Sequence, residues 1–263
     1  MATGDVRVPL GEVAEYLDAL LRVRDIPDYP TALNGVQVEN SCAIERVAVA
    51  VDASLETIRG AVDARANLLV VHHGLFWSGV QPLRGRFLER FRMLITNDVA
   101  VYSAHLPLDL HPTLGNNPLL ARALGLEPSE GFARFQTIHV GVQGECDLDT
   151  SELADRVSAL ARAEGGTLVV VGAEQGRRTR RWAICTGAGA SSDTLREAMA
   201  SGVDTLIVGE GPHHTAVEAR ELGIAVMYAG HYATETLGVR ALGDALSRHF
   251  QVPWTFIAAP TGL

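Results

Sequence analysis

Short apolar runs alternate with amphipathic, helix-compatible stretches along much of the chain. Residues 46–51 and 67–71 are two such runs, and the stretch between them begins near Ser54, a residue type that favours helix starts. Near-continuous apolar strands separated by helices are typical of parallel sheets that helices cover on both faces. The pattern therefore predicts an α/β fold with mostly parallel or mixed sheets.

The order strand, helix, strand, polar turn, helix, strand, polar turn occurs twice. Residues 181–186 and 204–208 repeat the apolar runs of the first half, and the stretch between them again begins near a serine, Ser192. A repeat this long exceeds the roughly 20–50 residues of a solenoid repeat. We therefore expect an internal duplication that gives two similar three-layer α/β lobes, residues 1–128 and residues 129–263, packed tightly together.

The repeat carries a pair of polar residues with it. His105 and Asp109 follow one apolar run, and His231 and Glu235 follow the corresponding run with the same spacing. An imidazole and a carboxylate together are a set of metal ligands. A single histidine in such a place is more often a solvated or core residue, but repetition of the whole pair favours a metal site.

Further polar residues lie just past the ends of other predicted strands. In open α/β sheets this is the edge where ligands bind. We therefore predict a metal site between the two lobes, built from strand-end residues. The candidates are His72, His73, Asp109, Glu210, His231 and Glu235.

Composition narrows the class of protein. The chain is 47% hydrophobic, which indicates a globular protein, and it has no apolar run near the ~18 residues of a membrane span. The N-terminus lacks the basic and apolar regions of a signal peptide. Cys42, Cys146 and Cys185 are scattered, which suits a reducing compartment and argues against a thiolate zinc site. We expect a cytoplasmic protein with no membrane partner.

Charge and glycine content add two weaker signals. The net charge of −9 disfavours a nucleic-acid partner, and the arginine-rich residues 177–181 read as a solvated turn. Gly187 and Gly189 lie in a strand-to-helix turn that is suited either to cradling a phosphate or simply to turning the chain.

Four segments together resemble the NIF-three-like family, whose members are also labelled GTP cyclohydrolase I type 2 homologues. They are residues 34–39, 70–77, 104–117 and 229–235, which read Asn-Gly-Val-Gln-Val-Glu, Val-Val-His-His-Gly-Leu-Phe-Trp, Ala-His-Leu-Pro-Leu-Asp-Leu-His-Pro-Thr-Leu-Gly-Asn-Asn and Ala-Gly-His-Tyr-Ala-Thr-Glu. The resemblance covers nearly the whole chain and is nearest to the short bacterial form, which lacks an inserted domain.

The resemblance implies two similar α/β lobes, a dinuclear metal centre and a toroidal homohexamer. The family's five usual metal ligands match residues of this chain, with none replaced. They are His72, His73, Asp109, His231 and Glu235.

Five nitrogen and oxygen ligands suit two metal ions about 3.5–4 Å apart that share a carboxylate and a water. Asp109 and Glu235 are the best bridging residues. Zn²⁺, Mn²⁺, Fe²⁺ and Ni²⁺ all fit a site without sulfur. His105 and Glu210 are then expected to support the ligands or to act as general acid–base residues.

Two classes of function remain open. The first is a metal-dependent hydrolase that acts on a small molecule, such as a nucleotide, through a metal-activated water. The second is a non-catalytic metal-binding protein with a regulatory or interaction role. An open coordination position lined by polar groups would favour the hydrolase, and a centre sealed by apolar side chains would favour the second class.

Overall fold

The computed structural model describes residues 6–263, which form two compact units. Unit 1 contains the residues up to Leu108 together with Gly238–Ala259, and unit 2 contains Asp109–Leu237 together with Pro260–Leu263. The sequence placed the boundary near residue 128, whereas the structure places it after Leu108. The expectation about the N-terminal segment falls largely on residues 1–5, which lie outside the described residues.

Helices and strands alternate along both halves of the chain. The first half contains α1 (Leu10–Leu21), β1 (Gly35–Val38), β2 (Val47–Asp52), α2 (Leu55–Asp63), β3 (Leu68–His73), α3 (Gly85–Thr96), β4 (Ala100–Ser103), α4 (Leu106–Asp109) and α5 (Asn116–Ala123). The second half contains β5 (Glu130–Phe135), β6 (Ile138–Asp149), α6 (Thr150–Ala163), β7 (Val169–Val171), β8 (Arg178–Cys185), α7 (Ser192–Ala200), β9 (Thr205–Val208), α8 (His213–Leu222), β10 (Ala225–Tyr228), α9 (His231–Thr234), α10 (Thr236–Phe250) and β11 (Trp254–Phe256). Within residues 6–263, every helix is too short or too polar to cross a membrane.

Unit 1 is built on a mixed sheet with the strand order β1-β4-β3-β2-β11. β2, β3, β4 and β11 are parallel, and β1 runs antiparallel along β4. The apolar runs that predicted β2 and β3 are buried on both faces, as a covered parallel sheet requires. Leu69 and Val101 pack against α2 and α3 on one face, and Tyr102 on the other face donates a hydrogen bond to Asp18 of α1 at 2.7 Å.

Unit 2 is built on a mixed sheet with the strand order β5-β6-β8-β9-β10-β7. Its two faces carry separate apolar clusters, because successive strand residues point to opposite sides. Trp182 and Ile184 pack with residues of α5 and α6, whereas Ala183 and Cys185 pack with residues of α7 and α8. The sheet therefore has helices on both faces, which confirms the predicted three-layer α/β architecture.

The duplication extends further than the sequence indicated. The series α1, β1, β2, α2, β3, α3, β4, α4, α5 has the same element types and order as α6, β7, β8, α7, β9, α8, β10, α9, α10. The pairing matches as well: three parallel strands form the centre of each repeat, and β1 and β7 each add an antiparallel edge strand. Each repeat thus contains nine corresponding elements.

Two local expectations need correction. The sequence of residues 125–135 predicts a connection between the lobes, but residues 130–135 form β5, which pairs with β6 in a hairpin. The arginine run is the start of strand β8 rather than a solvated turn, and Arg178 is paired there with Asp147 and Asp149. The strand signal is weak here because charged residues crowd the start of β8, where Arg178 and Arg181 form salt bridges with Asp147 and Glu130.

Matched serine caps begin corresponding helices in the two repeats. The Ser54 hydroxyl accepts a hydrogen bond from Thr57 N at 3.1 Å, and the Ser191 hydroxyl accepts one from Thr194 N at 3.1 Å. We expect Ser54→Ala and Ser191→Ala each to lower the free energy of unfolding by about 1 kcal/mol, measured by urea denaturation. Ser158→Ala, inside α6, is the control and should be neutral or slightly stabilising. Unchanged stability in both cap variants would contradict a capping role.

Candidate metal centre

Unit 1 brings three histidines together at the carboxyl edge of its sheet. His72 and His73 are the last two residues of β3, and His105 follows β4, the parallel neighbour of β3. One ring nitrogen from each histidine lies within 4.8 Å of those of the other two. His72 is buried, and the side chains of His73 and His105 are only 14% and 11% exposed. The structure therefore brings these strand-end histidines together within unit 1.

Each of these imidazoles is held through its Nδ1 atom by an oxygen. Nδ1 of His72 lies 2.9 Å from the carbonyl oxygen of Ala104. Nδ1 of His73 lies 2.9 Å from Asp52, and Nδ1 of His105 lies 2.8 Å from Asp28. A carbonyl or carboxylate oxygen only accepts hydrogen bonds, so Nδ1 carries the proton and donates. In the neutral ring this leaves Nε2 with a lone pair, the form in which histidine binds a metal.

Unit 2 contributes a histidine and a carboxylate from one turn of helix. His231 is the first residue of α9, and Glu235 is the residue directly after the end of this helix. Nδ1 of His231 lies 2.8 Å from Glu210, and Nε2 of His231 lies 3.2 Å from a carboxylate oxygen of Glu235. Burial alone would lower the pKa of His231, but hydrogen bonds and charge from Glu235 and Glu210 outweigh it and raise the pKa to about 9. A metal ion that binds His231 therefore has to displace a proton.

Asp109 ends the short helix α4 and is the first residue of unit 2. Its side chain is buried, and its Oδ1 accepts a hydrogen bond from the Asn116 amide at 2.9 Å. Burial first, and then the charges of Asp109 and Glu235, raise the pKa of the Cys185 thiol to about 12. The thiol thus stays protonated beside these carboxylates.

The turn after β8 requires a glycine at position 187, because the two candidate ligands of unit 2 lie against it. Its φ is +64°, and an added Cβ would overlap Glu235 Oε1 and lie 3.2 Å from His231 Nε2. The N–H of Gly187 donates to the Thr234 hydroxyl at 3.0 Å. The glycine therefore gives room to the two candidate ligands, a role that neither the phosphate-cradle nor the simple-turn interpretation included.

The candidate residues are divided between the two units, and three further histidines lie on exposed positions. His72, His73 and His105 belong to unit 1, and Asp109, Glu210, His231 and Glu235 belong to unit 2. His139, on β6, and His213 and His214, at the start of α8, are exposed.

Sequence reasoning missed the residues that orient the imidazoles. Asp28 and Asp52 hold two Nδ1 atoms, and Asn116 holds Asp109. Asp52 had a usable signal, since it ends a predicted strand, as His73 does, and pairs with it in the sheet. Asp28 had none, because it lies in a loop far along the chain from His105.

Comparison with known proteins identifies the family. Residues 8–261 match the family model described as Duf34/NIF3 (NGG1p interacting factor 3). A protein of Deinococcus radiodurans named "GTP cyclohydrolase 1 type 2 homolog" is 38% identical over 99% of this chain and 97% of its own length. A protein of Halobacterium salinarum with the same name is 43% identical over 97% of this chain and 99% of its own length.

Solved structures agree with the sequence relatives. The structure of protein ybgI, described as of unknown function, has a TM-score of 0.87 and 34% identity and covers 97% of this chain and 100% of its own. The structure of TTHA1606 from Thermus thermophilus has a TM-score of 0.81 and 35% identity over 97% of this chain and 100% of its own. These matches confirm the predicted resemblance, and the chain belongs to the Duf34/NIF3 family.

Proposed function

We propose that this chain is a metal-dependent hydrolase that binds two divalent metal ions. The ligands would be the five residues expected from the sequence: His72, His73, Asp109, His231 and Glu235. One observation carries the proposal. Nδ1 of His72, His73 and His231 is held by an oxygen acceptor at 2.8–2.9 Å, the arrangement in which Nε2 is the metal-binding atom, and His231 would release its Nε2 proton on binding.

The residues present fit divalent ions rather than another kind of group. Three imidazoles and two buried carboxylates offer nitrogen and oxygen donors, and the protonated thiol of Cys185 offers no competing thiolate. Gly187 leaves the Glu235 carboxylate the space that a side chain would take. Zn²⁺, Mn²⁺, Fe²⁺ and Ni²⁺ all accept such a donor set.

The exposure of the site favours catalysis over a sealed structural centre. The side chain of His231 is 27% exposed, and that of Glu210 is 42% exposed. When bound, a pair of divalent ions lowers the pKa of a water and stabilises charge that develops on an oxygen. The protein's own contribution is orientation: Glu210 fixes the ring of His231, and Asn116 fixes Asp109. The contact of Glu210 with His231 favours the supporting role for Glu210 over general acid–base catalysis.

A nucleotide is the substrate class to test first. The relatives are named as homologues of a GTP cyclohydrolase, which acts on a nucleotide by name. The alternative, a non-catalytic regulatory metal-binding protein, predicts metal binding without hydrolysis. The homohexamer that the resemblance implies and the cytoplasmic location stay predictions.

A hydrolysis screen tests the proposal. Protein reconstituted separately with Mn²⁺, Zn²⁺ and Fe²⁺ would be assayed on nucleotides and phosphoesters. We expect hydrolysis that needs metal and that falls at least about 100-fold in His231→Gln, because a lost ligand should cost no less than a lost supporting partner. His213→Gln, an exposed histidine in the same unit, is the matched control and should keep full activity. Stoichiometric metal without hydrolysis of any substrate would favour the regulatory alternative.

A further inference from the structure

Asp28 is a buried carboxylate that lies outside the five expected ligands. Its side chain is only 6% exposed. Among the described residues, its two oxygens accept hydrogen bonds from four groups at 2.7–3.0 Å. The donors are His105 Nδ1, the Asn34 amide and the backbone N–H groups of Tyr29 and Leu106.

These four partners require an ionised carboxylate at this position. The three nitrogen groups other than His105 can only donate, so they need acceptor oxygens. Burial raises the pKa of Asp28, but the hydrogen bond and charge of His105, with help from Asn34 and Tyr29, lower it further than burial raises it. In Asp28→Asn, the amide NH2 group would replace one carboxylate oxygen, and its two hydrogens would face two hydrogen-bond donors whichever way the amide were oriented.

The loop that carries Asp28 is fastened to the turns that carry the histidines. Asn34 Oδ1 accepts a hydrogen bond from the backbone N–H of His105 at 2.7 Å. Gln37 donates to the carbonyls of Ala32 and Leu33 at 3.0 Å and accepts from the N–H of Leu75 at 2.7 Å. These contacts give a physical role to the Asn-Gly-Val-Gln segment, whose residues the metal ligand set does not include.

Aromatic neighbours restrict the ring of His105 further. The Trp77 ring meets it edge-on with centroids 4.6 Å apart, and the Tyr29 ring lies 6.0 Å from it. The ring of His72 lies 5.0 Å away, and one ring nitrogen of His105 lies within 4.8 Å of a ring nitrogen of His72 and of His73. Since Nδ1 of His105 is bound to Asp28, we infer that this nitrogen is Nε2. The His105 ring is hydrogen-bonded at Nδ1 and packed against Trp77 and Tyr29, so it has little freedom to rotate or to change tautomer.

We propose that Asp28 is the positioning residue that directs His105 Nε2 into unit 1 as a third nitrogen donor beside His72 and His73. The assignment of that donor to a metal rests on the proposed function, but the orientation of the ring does not. Three imidazoles on one ion are a known set for zinc. The five expected ligands do not include His105.

Nitrogen NMR on metal-free protein tests the orientation. Histidine labelled with ¹⁵N would be measured in the solid state, and the His105 resonances would be assigned as those missing from His105→Gln. We expect His105 in the unchanged protein to carry its proton on Nδ1, and Asp28→Asn to convert part or all of it to the Nε2–H form. Asp18→Asn is the matched control, since Asp18 also accepts a hydrogen bond from a buried side chain of unit 1 but touches no histidine.

Metal titration by calorimetry tests the donor role. Zn²⁺ affinity should fall about 10–100-fold in Asp28→Asn and stay unchanged in Asp18→Asn. An Nε2–H form of His105 in the unchanged protein would overturn the proposal, and this measurement does not depend on whether Asp28→Asn folds. Equal Zn²⁺ affinity in a folded Asp28→Asn protein would also overturn it. The expected tautomers in a protein that binds no metal would support the positioning and contradict the proposed function.

Discussion

Asp109→Asn protein is expected to purify with at least one metal ion fewer per chain than the unchanged protein, while its circular dichroism spectrum stays the same. Asparagine keeps the shape of the side chain, and its oxygen can still accept the hydrogen bond from Asn116. What is lost is a buried negative charge, which neighbouring cations need because it reduces the repulsion between them. Metal analysis of the purified variant measures the effect.

The matched control removes a carboxylate charge from the surface of the same unit. Asp147 pairs with Arg178 at 2.6 Å, and its side chain is 66% exposed. Asp147→Asn should therefore keep the full metal content and nearly full stability, since exposed ion pairs contribute little. If Asp109→Asn kept two metals per chain, Asp109 would not be a ligand and the proposed donor set would be wrong.

Gly187→Ala is expected to weaken metal binding about 10–100-fold as well as to destabilise the fold. The added methyl group would meet the Glu235 carboxylate and approach His231, so both side chains would have to move. The backbone at φ +64° adds a cost of about 1–2 kcal/mol for any residue with a Cβ. Calorimetric titration with Zn²⁺ and urea denaturation measure the two effects separately.

Gly202→Ala is the control that separates the effect of backbone strain from the effect of the steric clash between residue 187 and Glu235. Gly202 has φ +70°, and no atom of the described residues lies within 4 Å of an added Cβ. This variant should lose similar stability but bind metal as the unchanged protein does. Equal metal affinities in the two variants would show that Gly187 does not shape the ligand pair.

The sequence predicted the repeated strands and most of the candidate ligands because both follow short-range rules. The Val-Ala-Val-Ala-Val run of β2 is buried throughout. A parallel strand that is buried on both faces consists mainly of apolar residues, so such a run is easy to recognise. His72 and His73 meet His105 because the ends of neighbouring parallel strands share an edge. The site is predictable wherever strand order alone brings side chains together.

What sequence reasoning missed depends on long-range or irregular contacts. Asp28 and His105 are separated by 77 residues, and no periodic pattern marks the loop that carries Asp28. The β5 and β6 hairpin contains Ala133 and Gln136 with positive φ, residues that give no turn signal. The predicted single boundary also took no account of α10, which starts in unit 2 and continues in unit 1 from Gly238.

The parallel pairing of β11 with β2 has a consequence for synthesis of the protein. Trp254 lies opposite Val47, so β2 gains its outer neighbour only after the chain has been extended from residue 47 to residue 254. At about 5–20 residues per second, a ribosome needs roughly 10–40 s to cover that distance. During this interval one edge of an apolar strand keeps its N–H and C=O groups open to pairing with other chains. Newly made chains are thus exposed to aggregation throughout this interval, and any truncation ahead of residue 254 would make that exposure permanent.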